Sequence, residues 1–218
     1  MAYAYWVIAG LWLLWAAYWM ASARRTKQSA QAEATPSRLT HLALLTAAFA
    51  LLALPAFEIG FLQWRLLPSR LIAFVTGVVL EALGLGFAVW ARVHLGQYWS
   101  STIDIKPEHH LISSGPYAFV RHPIYTGLVL AFLGTALAED EISGLLALAL
   151  VVIAYTRKIW IEERWLVRHL GEEYSACQRK VRRLIPFLWG TGCQKCWRTI
   201  EGDRKGPRLS TPPPSPLQ

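Results

Sequence analysis

Residues 124–159 read IYTGLVLAFLGTALA-EDE-ISGLLALALVVIAYTRKI, two apolar runs that flank an acidic turn. The first run, Ile124–Ala138, is short for a membrane span, and the second, Ile142–Ile159, approaches the roughly 20 residues that a spanning helix needs. The acidic residues Glu139–Glu141 separate them. This pattern predicts a helical hairpin, with a helix that continues beyond the second run from Trp160 to His169.

Three longer apolar stretches precede the hairpin: Tyr3–Met20, Leu39–Trp64, which Pro55 interrupts, and Leu71–Val93. Hydrophobic residues make up 54% of the 218 residues and charged residues 17%, whereas soluble domains carry about 25% charged residues. The composition therefore argues against a soluble enzyme and against a disordered protein. The sequence predicts an all-α, polytopic integral membrane protein with about five transmembrane helices, the last two forming a C-terminal hairpin.

The loop charges predict an orientation. Basic residues follow the first, third and fifth spans, and 13 of the 22 Lys and Arg residues lie from Arg157 onward. The positive-inside rule then places the N-terminus outside and the C-terminus in the cytoplasm. Arg65 and Arg70, in the turn after the second span, are in mild conflict with this assignment. We expect the first span to be retained, although residues 21–23 imitate a signal-peptidase site.

Small and acidic residues within the spans have two interpretations each. Gly77, Gly84 and Gly86 would let a neighbouring helix approach closely, or would leave room for a lipid tail between helices. Glu81 and Glu58 lie at membrane depth, where an ionisable group is a functional candidate by default; the alternative is a carboxyl group that is paired within the bundle.

Residues 109–127, HHLISSGPYAFVRHPIYTG, concentrate His, Tyr, Arg, Pro and Gly beside a membrane entry point. Pro123 suits the first turn of the helix that begins near Ile124. Arg121 and His122 then lie at the N-terminus of that helix, where free N–H groups and the helix dipole favour an anion. The sequence thus predicts a binding site for a ligand carboxylate or phosphate, and an interfacial belt of Arg, His and Tyr is an equal alternative.

A second polar group follows the last span. Lys158 and Glu162 are four residues apart and share one helix face. They form either a surface ion pair, worth only about 0.3–0.5 kcal/mol, or a charged rim over a membrane-embedded pocket. Near the end of the chain, Cys193 and Cys196 form a single C-x-x-C. A structural zinc site needs four ligands, so we expect reduced thiols and no metal.

Together these motifs resemble a known family. LISSGPY at 111–117, RHPIYTG at 121–127, Glu162-Glu163, GEEY at 171–174 and Ile185-Pro186 are similar to the isoprenylcysteine carboxyl methyltransferases. That family belongs to a wider group of integral-membrane methyltransferases that includes the phospholipid N-methyltransferases. The resemblance runs from about Leu95 to Pro186, and the first three spans match only in hydrophobicity. It implies methyl transfer from S-adenosylmethionine to a lipophilic acceptor at the cytoplasmic membrane face, most like protein-S-isoprenylcysteine O-methylation.

The resemblance also implies a cofactor pocket formed by His109, His110, Leu111, Ile112, Tyr117, His122, Pro123, Ile124, Tyr125 and Glu162. The family places a substrate-contacting Arg one helical turn before the Glu, where this chain has Lys158 beside Arg157. We expect Arg121, His122 and Lys158 to serve the reaction, with His122 as the base for a phenol or an amine. Residues 1–93 would hold three transmembrane helices, 94–189 the methyltransferase core and 190–218 a disordered tail.

Other functions remain open on the sequence. A phospholipid amine, a phenolic lipid or a small thiol is an alternative acceptor, and a non-catalytic membrane protein is a further alternative. No G-x-G-x-x-G occurs, so a soluble dinucleotide-type cofactor fold is not supported. The net charge of +8 is explained by cytoplasmic loops and anionic lipid. We therefore expect membrane lipids and a lipophilic acceptor as partners, and no nucleic acid.

Overall fold

The computed structural model describes residues 2–23, 35–53, 60–96 and 114–185. Six α-helices lie in these ranges, together with 3-10 turns at Gly60–Gln63 and Gly115–Ala118. The helices are α1 (Ala2–Ala23), α2 (Thr35–Ala53), α3 (Arg70–Leu95), α4 (Pro123–Glu139), α5 (Ile142–Leu170) and α6 (Glu172–Lys180). The described ranges contain only isolated β-bridges and no strand. The predicted all-α class is confirmed.

Four of these helices, α1, α2, α3 and α5, are long and apolar enough to cross a membrane, whereas α4 is an apolar helix of only 17 residues. That length is at the lower limit for a spanning helix. The predicted span Leu39–Trp64 differs from the structure. Its helix begins earlier, at Thr35, because Pro36 fits a first helical turn, and it ends at Ala53. Residues 54–59, including Pro55 and Glu58, lie outside the described ranges.

Glycines set the contact between α3 and α4, which pack antiparallel. A Cβ added to Gly84 would lie 2.5 Å from both the Gly127 carbonyl oxygen and the Ala131 nitrogen, and Gly77 faces α4 about two turns away in the same manner. By contrast, Gly86 has open space around its Cβ position. The predicted close approach is confirmed at Gly77 and Gly84. A lipid tail at these two glycines is ruled out because α4 fills the space.

Gly84→Ala should therefore destabilise the fold, because its methyl group would overlap the α4 backbone. Overpacking of this kind costs about 1–3 kcal/mol. Gly86→Ala is the matched control on the same helix, and we expect it to be neutral or stabilising by about 0.5–1 kcal/mol. Thermal unfolding in detergent measures both. Equal effects of the two substitutions would show that α3 and α4 are not in this contact.

Aromatic residues attach α1 and α2 to α4. The Trp12 ring lies 5.2 Å from that of Phe49 and 4.8 Å from that of Phe132, between ring centroids. The Trp12 indole N–H also donates to Thr135 Oγ1 at 3.0 Å. Next to this cluster, Glu81 of α3 is fully buried, where α3 packs against Gly134 of α4. The bundle therefore places a carboxyl group in its interior.

The predicted hairpin between α4 and α5 is confirmed. Asp140 ends α4 in the left-handed conformation (φ 58°), and α5 starts two residues later. Asp140 Oδ2 accepts from Arg65 Nη2 at 2.8 Å, and Oδ1 accepts from the backbone nitrogens of Leu66 and Leu67. The two turns therefore lie on the same side of the bundle. The charge of Arg65 is compensated there by the buried carboxylate of Asp140.

Candidate functional site

The site forms where α4 begins, α5 extends past its apolar part and the chain returns after α6. Gly171 (φ 55°) separates α5 from α6. The chain that leaves α6 then pairs with the start of α4. The backbone nitrogens of Arg121 and His122 donate to the carbonyl oxygens of Arg182 and Arg183, at 2.7 and 3.1 Å. Residues far apart in the sequence are thereby held around the N-terminus of α4.

Glu162 is the centre of one side of this site. Its Oε1 accepts a hydrogen bond from the Tyr125 hydroxyl at 2.6 Å and lies 3.9 Å from Lys158 Nζ. Its Oε2 lies 3.5 Å from His122 Nδ1. The side chain of Glu162 is 19% exposed and that of Lys158 11%, so this pair is more buried than an ordinary surface ion pair. Four predicted site residues are brought together here.

Glu163 occupies the other side and is almost fully buried. Arg121 donates to its Oε1 through Nε and Nη2, at 2.9 and 2.7 Å, and Arg183 Nε and Gln178 Nε2 donate to its Oε2. His122 Nε2 lies 3.4 Å from Oε1. Burial by itself would raise the pKa of Glu163. The hydrogen bonds from His122 and Arg121, with their charges, outweigh burial and lower that pKa to about 2.

His122 links the two carboxylates. It is the N-cap residue of α4, and Pro123 occupies the first helical position, as predicted from the sequence. One ring nitrogen lies beside Glu162 and the other beside Glu163. Because the α4 backbone and both carboxylates restrain it, the imidazole has a defined orientation. Pro123 and Ile124, the next two residues along the chain, are buried.

Stacked aromatic rings line the same region. The rings of His122 and Tyr125 are nearly parallel with centroids 5.8 Å apart, and Tyr155 stacks on Tyr125 at 4.9 Å. Tyr117 stacks on His94 at 6.4 Å. Burial, followed by the negative charge of Glu162, raises the pKa of the Tyr117 phenol. Tyr117 is thus a neutral ring within the electrostatic reach of Glu162.

The remaining predicted residues have different positions. His109, His110, Leu111 and Ile112 lie outside the described residues, so their cofactor contacts stay predictions. Arg121 donates to Glu163 and, through Nη1, to the carbonyl oxygens of Gln178 and Val181. To contact a ligand anion, it would have to exchange these partners.

Sequence reasoning assigned no role to Glu163 or Arg183. The available signal was the Glu162-Glu163 pair itself. The side chains of consecutive helical residues point about 100° apart. Two adjacent acidic residues at the end of a span therefore lie on two different faces of the helix.

Comparison with known proteins gives three findings. A family model described as phospholipid methyltransferase matches residues 72–173. A protein-S-isoprenylcysteine O-methyltransferase of Schizosaccharomyces pombe is 33% identical over 131 residues, which are 56% of this chain and 55% of the relative. The chain is thus similar to a protein-S-isoprenylcysteine O-methyltransferase over about half of its length. The predicted resemblance is confirmed. The family match begins nearer the N-terminus than predicted, at residue 72 within α3, and it ends at residue 173, before the predicted end at Pro186.

Two further proteins are similar to this chain. Methanethiol S-methyltransferase 1 of Bradyrhizobium diazoefficiens is 29% identical over 143 residues, covering 58% of this chain and 49% of the relative. A solved structure of a eukaryotic intramembrane Ras methyltransferase aligns with 72% of this chain and 55% of its own, at 22% identity and a TM-score of 0.45. The chain spans about half the length of the curated relatives it matches.

Proposed function

We propose that this chain is an S-adenosylmethionine-dependent methyltransferase that acts on a lipophilic acceptor at the cytoplasmic face of a membrane. The acceptor that fits best is a carboxylate of the isoprenylcysteine type. The observation that carries the proposal is the contact between the 117–125 segment and Glu162, which joins two distant motifs through Tyr125 and His122. Both motifs lie within the stretch that matches the methyltransferase family.

The chemistry of the described side chains fits this cofactor. Its ammonium group calls for a carboxylate, its carboxylate for a cation and its adenine for an apolar or aromatic slot. Glu162 supplies the first, His122 beside it is the basic group for the second, and the stacked rings at Tyr117 and Tyr125 supply flat surfaces. We propose that these residues hold the cofactor together with the predicted 109–112 segment, Pro123 and Ile124.

S-adenosylmethionine, when bound, supplies a methyl group on a sulfonium centre, which a nucleophile displaces in line. The residues of the chain then act mainly by positioning the acceptor and excluding water. Glu163 contributes indirectly, because it fixes Arg121 and His122. In this proposal Arg121 is a positioning residue unless it exchanges its partners for a ligand anion.

The surroundings of His122 favour an acceptor that is already ionised. Both of its ring nitrogens lie within 3.5 Å of carboxylate oxygens. To act as a base toward a phenol, a thiol or an amine, the imidazole would have to leave one of these contacts. A carboxylate acceptor needs no proton removed, and Lys158 at the rim provides a charge that complements it.

The second candidate is methylation of a small thiol. It is favoured by the similarity to a methanethiol S-methyltransferase, which spans 143 residues of alignment. Methylation of a phospholipid amine is a related possibility, since the matching family model carries that description. These candidate reactions would use the same cofactor-binding residues. They differ in the acceptor group that would lie next to Lys158.

The function is tested with purified protein in nanodiscs and a labelled methyl donor. Three acceptors are offered separately: a farnesylcysteine analogue, methanethiol and phosphatidylethanolamine. We expect base-labile methyl ester formation on the first. Methylation of only methanethiol would support the second candidate function, and methylation of only phosphatidylethanolamine would support a phospholipid acceptor. Absence of S-adenosylhomocysteine binding in folded protein would contradict a methyltransferase altogether and favour a non-catalytic membrane protein.

Lys158→Glu should raise KM for an anionic acceptor at least tenfold or abolish turnover, since it replaces attraction by repulsion at the rim. Lys158→Arg keeps the charge and should retain activity. S-adenosylhomocysteine affinity, measured by calorimetry on the same samples, is expected to change much less than KM. A variant that loses cofactor binding and acceptor binding equally would show that Lys158 serves the cofactor instead.

We also propose that the N-terminus is outside and the C-terminus cytoplasmic, with residues 94–189 as the methyltransferase core and 190–218 as a tail that the core does not need. The basic residues from Arg157 onward support this orientation. A C-terminal tag should then be protected from an impermeant protease in intact cells. Cleavage of the tag in intact cells would show that the C-terminus lies outside and that the proposed orientation is wrong.

A further inference from the structure

A groove on α5 and α6 lies apart from the cluster around Glu162. It is lined by Trp160, Glu163, Arg164, Val167, Arg168, Gln178 and Arg183. None of the residues that contact Glu162 lines this groove. Glu163 is shared with the candidate functional site, but the proposed reaction gives no role to Arg164 or Arg168, which line the groove.

The groove is strongly basic. Three arginines line it against a single carboxylate, and that carboxylate, Glu163, is already bonded to Arg121 from within. Arg183 reaches Glu163 through Nε, but its side chain remains 54% exposed. Arg164 and Arg168 are both exposed. The open side of the groove thus presents more positive charge than its own residues neutralise.

One of these arginines is held in place by an aromatic ring. The Arg164 guanidinium carbon lies 3.5 Å from the centroid of the Trp160 ring, a cation–π arrangement. A stacked guanidinium keeps its N–H edges available for bidentate contact with a phosphate. Trp160 is itself half-exposed. Arg164 is accordingly oriented before any ligand arrives.

The position of the groove along α5 matches the headgroup layer of a bilayer. A helix rises about 1.5 Å per residue, so Trp160 lies about 27 Å from Ile142 and Arg164 about 33 Å. The hydrocarbon core is about 30 Å thick, and the headgroup regions add several ångströms on each side. Trp160 is then at the interface, where tryptophan is enriched, and Arg164 is at the depth of the lipid phosphates.

We propose that this groove binds the headgroup of an anionic membrane phospholipid, with Arg164, Arg168 and Arg183 around the phosphate and Trp160 against the upper acyl chains. The site is separate from methyl transfer, so it stands whether or not the proposed reaction is correct. Residues 186–218 are a poor alternative occupant because they carry five basic and two acidic residues. Their net charge has the same sign as the groove.

The test uses the full chain in detergent micelles that contain equal amounts of phosphatidylglycerol and phosphatidylcholine. Native mass spectrometry gives the ratio of the two bound lipids. We expect wild type to retain phosphatidylglycerol preferentially, and Arg164→Gln/Arg168→Gln to lower the ratio at least tenfold. A basic residue near a bilayer contributes about fivefold in affinity. Arg168→Gln alone should therefore lower the ratio about fivefold. Because Arg168 is exposed, this substitution should leave the protein folded, so a lower ratio would reflect lost lipid binding.

Arg179→Gln is the matched control. Arg179 is an exposed arginine of α6 that pairs with Glu172 and does not line the groove. We expect it to keep the wild-type ratio. An unchanged ratio in the double variant, or an equal loss in Arg179→Gln, would overturn the proposal. Displacement of phosphatidylglycerol by excess inorganic phosphate would overturn it as well, because the site would then recognise a soluble anion.

Discussion

Glu162→Gln is expected to weaken S-adenosylhomocysteine binding at least tenfold, which corresponds to about 1.4 kcal/mol. The substitution removes a negative charge but keeps the size of the side chain. The remaining amide oxygen can still accept the Tyr125 hydroxyl that lies 2.6 Å from Oε1. What is lost is the charge that Lys158 and His122 face and that a ligand ammonium would need. Calorimetry on detergent-solubilised protein measures the affinity.

Controls separate this effect from a general one. Glu172→Gln removes a carboxylate of α6 whose side chain is 80% exposed, and it should leave the affinity unchanged. His122→Ala should weaken binding at least tenfold as well, because it removes the group between Glu162 and Glu163. Deletion of the residues after Trp189 should have no effect. Wild-type affinity in both Glu162→Gln and His122→Ala, with the fold intact, would refute the proposed cofactor site.

Most helices could be predicted from the sequence, because the length of an apolar run and the residues that interrupt it are local features of the chain. Apolar length predicts α1, α3 and α5, and the acidic turn at Asp140 predicts the hairpin. The predicted span 39–64 was wrong as one continuous helix, because the apolar composition runs on through Gly60–Gln63, which form a 3-10 turn and are not part of α2. Likewise, hydrophobicity alone could not distinguish Gly84, which contacts α4, from Gly86, which does not. That difference depends on which face of α3 meets its neighbour.

The site was predictable only in part, for a related reason. Glu162, His122 and Tyr125 belong to the motifs that resemble the family. The structure brings these three residues into contact. The role of Glu163 depends on the path of the chain after α6, which brings Arg183 back to the start of α4. A spacing pattern cannot show such a return, because it arises from pairing between segments about 60 residues apart.

Glu163→Ala is expected to have the largest effect on stability, a loss of about 3–5 kcal/mol. Arg121 is also nearly buried, with a side chain 8% exposed. Removing the carboxylate would leave its guanidinium charge in the protein interior with only carbonyl oxygens as partners. The start of α4 and the segment after α6 would both be released, because Arg121 and Arg183 join them through Glu163. Thermal unfolding in detergent measures the loss, and Glu172→Ala on α6 is the exposed control.

The dependence of stability on pH gives a second measurement of the same group. The pKa of Glu163 is about 2 in the folded protein, below its ordinary value of 4.5. A carboxyl group whose pKa is lowered by folding contributes stability above its unfolded pKa, and that contribution is lost as the pH falls through the folded pKa. Wild type should thus lose stability between about pH 4.5 and 2, and Glu163→Gln should lose less over that interval, since it has no proton to gain. Parallel pH profiles for the two proteins would mean that Glu163 is not the charged centre that joins α4, α5 and the segment after α6.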